Sequence, residues 1–251
     1  MKKIPVIYSE DFYTDYYTVD CENPDRISSI YFKIIDISEI IEPEPCTLHD
    51  LKLCHSDDLI ESVRRKDDVY YVAKKSAGGA IKASEIALEE PSFALIRPPG
   101  HHAGYNFNGG FCFFNNMAIA IKKLLKEGKI NTALIVDIDL HYGNGTYDIV
   151  KGDERISFRN IDAYPRGNFI KDLEDALKDA DQFDIVGCSA GFDTYIKDWG
   201  ALLTTDDFRT IGKMLASSNP NVFSILEGGY YIPDLGLNVR AFLEGIMEAC
   251  S

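Results

Sequence analysis

Two carboxylates and one imidazole stand at Asp139, His141 and Asp193. With a fourth position open, this is the donor set that a catalytic zinc or similar divalent ion takes. Such an ion lowers the pKa of bound water and polarises a carbonyl. Asp139 and His141 are two apart, so in an extended segment both face one side. Capping of a helix or turn is the plain alternative for that pair alone. The tandem His101-His102 follows Pro98-Pro99-Gly100. Adjacent imidazoles beside a metal-bound water can act as general base and electrostatic partner; taken singly, a histidine reads first as a satisfied surface or core residue, but three of the chain's five, these two and His141, sit in two polar loops. Asp137 lies in an apolar run, where an unpaired carboxylate is costly. It calls for a partner, either a histidine of the pair or a bound cation. Tyr230 follows Gly228-Gly229, and a phenol on that turn can donate to a developing oxyanion. The chain has 14 tyrosines, so position rather than type singles this one out.

The elements that must position these groups are short apolar runs alternating with helical periods. Ile4–Tyr8, Phe93–Ile96, Ala133–Ile138, Ile156–Phe158, Ile185–Cys188 and Val222–Leu226 read as buried strands. Asn116–Glu127, Ile170–Asp181, Asp206–Ser217 and Val239–Ala249 read as helices, the first stopped by Gly128. The expected fold is three-layer α/β/α, a mostly parallel open sheet between helices. In such sheets ligands bind beyond the carboxyl ends of the strands. Four polar segments follow strands here: Arg97–Gly104, Asp139–Gly145, Ser189–Asp193 and Glu227–Tyr231. They are expected to converge on one pocket. No internal repeat, low-complexity tract or linker divides residues 1–251, so one domain is expected. Glu42–Pro45 reads as a loop, and the first sixty residues as mostly loop and short helix.

Composition narrows the partners. The net charge is −14, from 26 basic and 40 acidic side chains. A pI near 4.7 argues against direct nucleic-acid binding, which needs a basic face. It suits cationic partners, or simply keeps the protein in solution. No stretch of about 18 apolar residues suggests a membrane span, and the apolar run of the N-terminus is too short for a signal peptide. Six scattered cysteines without a CxxC suggest reduced thiols in a cytoplasm.

The segments RPPGHHAG, GGFCFFNN, VDIDLHYGNGT, SAGFD and LEGGY, in this order, resemble the zinc-dependent histone deacetylases and their relatives, the acetylpolyamine amidohydrolases. The likeness runs from Asn23-Pro24-Asp25-Arg26 to Leu237-Asn238-Val239-Arg240. It implies the arginase/deacetylase fold. It implies that Asp139, His141 and Asp193 hold Zn²⁺, with Fe²⁺ or Co²⁺ as other occupants of the same donors. By the same resemblance His101 and His102 are the catalytic histidines, His102 the base. Asp137 stands behind His101, Asn144 behind His102, and Tyr230 polarises the acyl carbonyl. Gly110 and Phe111 match one wall of the acyl tunnel and Tyr164 the opposite one. Asp137, Asp139, His141, Ser157 and Phe158 match a structural K⁺ site built largely from backbone oxygens.

The implied reaction is hydrolysis of an acyl, above all acetyl, group from an amine. Acetyl-lysine peptides, acetylpolyamines and small acylated metabolites are the substrate classes. The other readings are a ureohydrolase on the same fold, which needs additional Asp/His ligands, and a catalytically silent acyl-lysine or metal-binding module. The chain departs from the family pattern in three places. Tyr231 stands where Asn often follows the tyrosine. Thr194–Gly200 lacks Gly-Asp-Pro, carries Trp199, and has no acidic gatekeeper of the kind that selects polyamines. Shortened substrate loops are expected from the length. Oligomeric state is not legible.

Overall fold

A computed structural model describes residues 3–250. Seven strands form its sheet: β1 (Ile4–Ile7), β2 (Ser38–Ile41), β3 (Ser92–Ala94), β4 (Ala133–Asp137), β5 (Ile156–Asn160), β6 (Ile185–Ala190) and β7 (Val222–Leu226). Their order is β2-β1-β3-β7-β6-β4-β5, and each strand pair is parallel. Strands β1, β3, β4, β6 and β7 are buried along their whole length, as expected where helices cover both faces.

The helices are α1 (Asp25–Ile34), α2 (Leu48–Leu51), α3 (Asp57–Arg64), α4 (Asp67–Ile86), α5 (Asn116–Lys126), α6 (Asn144–Val150), α7 (Arg166–Leu177), α8 (Thr205–Ser218) and α9 (Ile232–Ala249). One layer is built on α4 packed with α5, the other on α9 packed with α1 and α8. Alternation along a strand separates the two contacts. On β3 the Phe93 ring meets Phe242 of α9, whereas Ile7 and Ile96 side chains press on Gly79 of α4.

Residues 3–60 are mostly loop and short helix, as expected, with one unexpected addition, a second strand. They contain α1, with four buried residues including Ile27 and Ile30, and the edge strand β2, paired to β1 from Ile4↔Ser38 to Ile7↔Ile41. The 20-residue helix α4 has no counterpart among the expected helices, and α9 begins seven residues before Val239. Glu42–Pro45 is loop, as expected. Among the described residues no helix is long and apolar enough to cross a membrane. Cys46, Cys54, Cys112 and Cys188 are buried thiols.

Candidate active site

Register brings the chemistry together. Asp137 ends β4 opposite Ser189 of β6, and Ala190 lies opposite Leu226 of β7. The segments leaving β3, β4, β6 and β7 therefore emerge side by side, where the strand order steps between neighbours distant in sequence.

Donor atoms of Asp139, His141 and Asp193 lie within 4.8 Å of one another. His141 Nδ1 is 3.2 Å from Asp139 Oδ1 and 3.0 Å from Asp193 Oδ2. The backbone fixes both carboxylates: Gly228 N donates to Asp139 Oδ2 at 2.8 Å, and Leu140 N to Asp193 Oδ1 at 3.1 Å. The other oxygen of Asp193, Oδ2, is buried and faces the His141 ring nitrogen without a well-aligned hydrogen bond, which is costly in a protein interior unless a cation completes it. Its hydrogen bond to Asp139, with Asp193 close by, raises His141 to about 10. Burial, with Asp139 beside it, raises Asp193 to about 7. Burial pushes Asp139 the same way, but the charge of His101 and hydrogen bonds from His141 and Gly228 outweigh it and hold it well below the usual range. A Cβ on Gly191 would come within 2.2 Å of Asp139 Oδ2, and one on Gly228 within 2.8 Å of Asp193 Oδ2. The cradle is thus built around space that a side chain would fill, and its donors suit a divalent ion.

His101 and His102 stand beside this triad with ring centroids 4.1 Å apart. His101 Nδ1 is 3.0 Å from Asp137 Oδ2 and its Nε2 is 3.8 Å from Asp139 Oδ1. Burial opposes its charge, yet Asp139 and Asp137 win and raise it well above the ordinary histidine value. Asp137 thus has the partner its apolar strand demands. His102 Nδ1 is 2.6 Å from Asn144 Oδ1 at the start of α6. That amide oxygen only accepts, so Nδ1 carries the proton and Nε2 keeps its lone pair. Burial, then the charge of His101, lowers His102 to about 4.

Tyr230 leaves β7 through Gly228-Gly229, with φ +118° at Gly229. Its ring meets Phe111 edge-on at 5.9 Å. Gly110 and Phe111 both have positive φ, 54° and 67°; a Cβ on Gly110 would reach 2.1 Å from the His102 ring, so the closeness of that loop to the imidazole requires glycine. The Gly110 carbonyl accepts the Cys112 thiol at 3.4 Å. Tyr164 is 73% exposed, and its ring joins no aromatic contact among the described residues. Ser157 and Phe158 lie on β5 opposite Leu134 and Ile135. The Phe158 ring and Asp137 Oδ2 both crowd Gly143.

Sequence reasoning missed the buried charges behind this site. Glu22 accepts from Arg97 Nε at 2.9 Å and Arg26 Nη1 at 3.2 Å. Arg26 donates to the carbonyls of Gly229, at 2.7 Å, and Glu227. Its guanidinium lies 4.9 Å from the centre of the Tyr230 ring. Glu227 accepts from Gly100 N at 2.7 Å and His101 N at 3.2 Å; burial raises its carboxyl to about 7. The available signal was the one used for Asp137: Arg97 and Glu227 each adjoin an apolar strand.

Comparison with known proteins agrees with this architecture. Residues 20–180 match the histone deacetylase domain family. Acetylpolyamine amidohydrolase of Mycoplana ramosa is 33% identical over 69% of this chain and 62% of its own, so the chain spans under two thirds of that relative. A probable deacetylase of Methanothermobacter thermautotrophicus is 28% identical over 96% of this chain and 90% of its own. The solved HDA15 HD domain superposes with TM-score 0.88 at 21% identity, covering 99% of this chain and 90% of that one. An acetylpolyamine aminohydrolase from Burkholderia pseudomallei gives 0.84 at 20%, covering 98% and 99%. Both carry the arginase/deacetylase fold, and the seven-stranded parallel sheet between helices of this chain belongs to the same architecture. The chain belongs to the histone deacetylase family.

Proposed function

We propose that the protein is a metal-dependent amidohydrolase that removes an acetyl group from an amine. One observation carries this: the Asp139/His141/Asp193 triad, with a buried carboxylate oxygen that lacks an aligned hydrogen bond, lies beside an inequivalent histidine pair. Asp139, His141 and Asp193 would hold the ion, Zn²⁺ first and Fe²⁺ or Co²⁺ equally compatible with the donors. When bound, such an ion supplies an acidified water and a Lewis acid for the carbonyl.

The chain's own groups supply the rest. His102 Nε2 accepts the proton of the attacking water and returns it to the leaving amine. His101, kept charged by Asp137 and Asp139, stabilises negative charge as it develops. The Tyr230 hydroxyl donates to the carbonyl oxygen, and burial keeps that phenol protonated. The Gly110 carbonyl accepts the amide N–H, and Phe111 flanks the acyl group. Asp137, Asp139, His141, Ser157 and Phe158 would hold K⁺ behind the triad. Relatives named as deacetylases and acetylpolyamine amidohydrolases support an acetylated amine as substrate, whether acetyl-lysine peptide, acetylpolyamine or small metabolite. The buried thiols suit a cytoplasmic setting.

Acetate release should be followed over a panel of those three substrate classes, with protein reconstituted in turn with Zn²⁺, Fe²⁺ and Co²⁺. Release should require metal, and Tyr230→Phe should lower kcat by roughly a hundredfold or more with metal content unchanged. Undiminished activity in Tyr230→Phe would remove the tyrosine from the scheme. Metal and substrate binding without turnover would favour a silent binding module.

A further inference from the structure

Trp199 is the chain's single tryptophan and lies where the sequence departs from its family. Its loop is fastened to the site on both sides. Gly200 N donates to Asp193 O at 2.8 Å. Asp198 Oδ2 accepts from Tyr230 N at 2.6 Å and Tyr231 N at 2.8 Å. Between these ties the indole is stacked on the Tyr230 ring, centroids 4.3 Å apart and planes at 25°. It meets the His141 ring edge-on at 5.8 Å. The indole is nonetheless 52% exposed, so deep burial does not account for its placement.

Tyr230 needs such a neighbour. Asp198 and Arg26 hold the backbone of its turn, but backbone ties do not by themselves choose the side-chain rotamer that aims the phenol. An oxyanion donor contributes only when its hydroxyl is already aimed. Phe111 touches the ring by an edge and Arg26 sits over it, but Trp199 covers it face to face. We propose that Trp199 is a positioning residue for Tyr230, its stack holding the phenol toward the triad. The proposal rests on the deacetylase reading of Tyr230.

Kinetics of the metal-loaded enzyme test it. Aromatic pairing of ordinary strength corresponds to about a three- to tenfold fall in kcat for Trp199→Ala, with KM moving less than about twofold. Trp199→Phe should recover most of the loss. In a Tyr230→Phe background Trp199→Ala should cost nothing more, because the hydroxyl to be aimed is gone. Equal losses in both backgrounds, or a loss confined to KM, would overturn the proposal and make Trp199 a wall that touches substrate. A second readout needs no turnover. As the sole tryptophan, Trp199 should emit at longer wavelength in Tyr230→Ala, where its covering ring is lost, and unchanged in Tyr230→Phe. Emission identical in all three proteins would overturn the stack. A red shift in Tyr230→Ala, together with no acetate release by the metal-loaded wild-type protein from any substrate, would support the stack and count against the deacetylase reading alone.

Discussion

At the scale of single residues, what separates His101 from His102 is the atom behind each ring. Asp137 offers His101 a full negative charge at 3.0 Å, whereas Asn144 offers His102 a neutral oxygen at 2.6 Å. Burial acts against charge on both; carboxylates overcome it at His101 and nothing does at His102. A base must be unprotonated, so the ring lowered to about 4 is competent throughout the neutral range and its neighbour is not. His102→Ala should therefore lower kcat by about 10²–10⁴-fold, and His101→Ala by less. The acidic limb of the pH–rate profile should reflect His102 and lie below neutrality. Asn144→Asp places an anion behind His102, which raises its pKa and should carry that limb to higher pH. Rate profiles of the three variants, each folded and metal-loaded, check this. A larger loss in His101→Ala, or an unmoved limb in Asn144→Asp, would reverse the assignment of roles.

At the scale of elements, the central strands were legible because parallel strands covered on both faces read as near-continuous apolar runs, as Ala133–Val136 does without a break and Val222–Leu226 with only Ser224 inside it. Strand β2 was not, since Ser38-Glu39-Ile40-Ile41 is a half-exposed edge. Helix α4 escaped because its packing face is made of small residues. A Cβ on Gly78 would lie 1.9 Å from the Glu44 carbonyl oxygen, and one on Gly79 2.7 Å from Ile96. Glycines that close approach demands look, in sequence, like helix breakers. The loops after the strands were readable by type, but Glu22 and Arg26 resemble ordinary surface charge until the fold buries them. Helix α8 shows how such local signals are tied to tertiary structure. Asp207 accepts from Thr204 N and Oγ1, both at 2.7 Å, and from Arg166 Nε at 2.8 Å, joining the α8 start to α7. Burial works against its charge, but these hydrogen bonds prevail and hold the carboxyl below its usual range. Asp207→Ala should cost about 1–2 kcal/mol of stability. Because the folded pKa is depressed, the carboxylate's contribution is full above the unfolded value, about 3.9, and is lost as pH falls through the folded one. The gap between wild type and variant in urea unfolding should thus be widest near pH 7 and narrow in acid. A gap independent of pH would show that packing, not the charged cap, stabilises this end of α8.

Over the whole molecule, residues 12–26 are bound to the site rather than appended to it. Arg97, leaving β3, donates to Thr14 O at 2.8 Å and to both the side chain and the carbonyl of Glu22. Arg26, on α1, donates to the turn that carries Tyr230. Tyr16 completes the group, its hydroxyl donating to Glu22 Oε2 at 3.0 Å under the Arg97 guanidinium. The side chains of Glu22, Arg26 and Arg97 are fully buried. Two guanidiniums thus share one carboxylate between the N-terminal segment, β3 and β7. Removing one partner of a buried ion pair leaves uncompensated charge, at a cost of about 3–5 kcal/mol. Glu22→Gln keeps the shape and deletes the charge, so it isolates this effect. It should lower the unfolding free energy by that amount, read as a lower denaturant midpoint with the slope unchanged, because the surface exposed on unfolding is the same. Since Arg26 also supports the Gly229 carbonyl and faces the Tyr230 ring, the surviving folded enzyme should lose kcat more than it gains in KM. A stability change below about 1 kcal/mol, the size of an exposed pair, would mean that water reaches the group and that the N-terminal segment is not a structural part of the site.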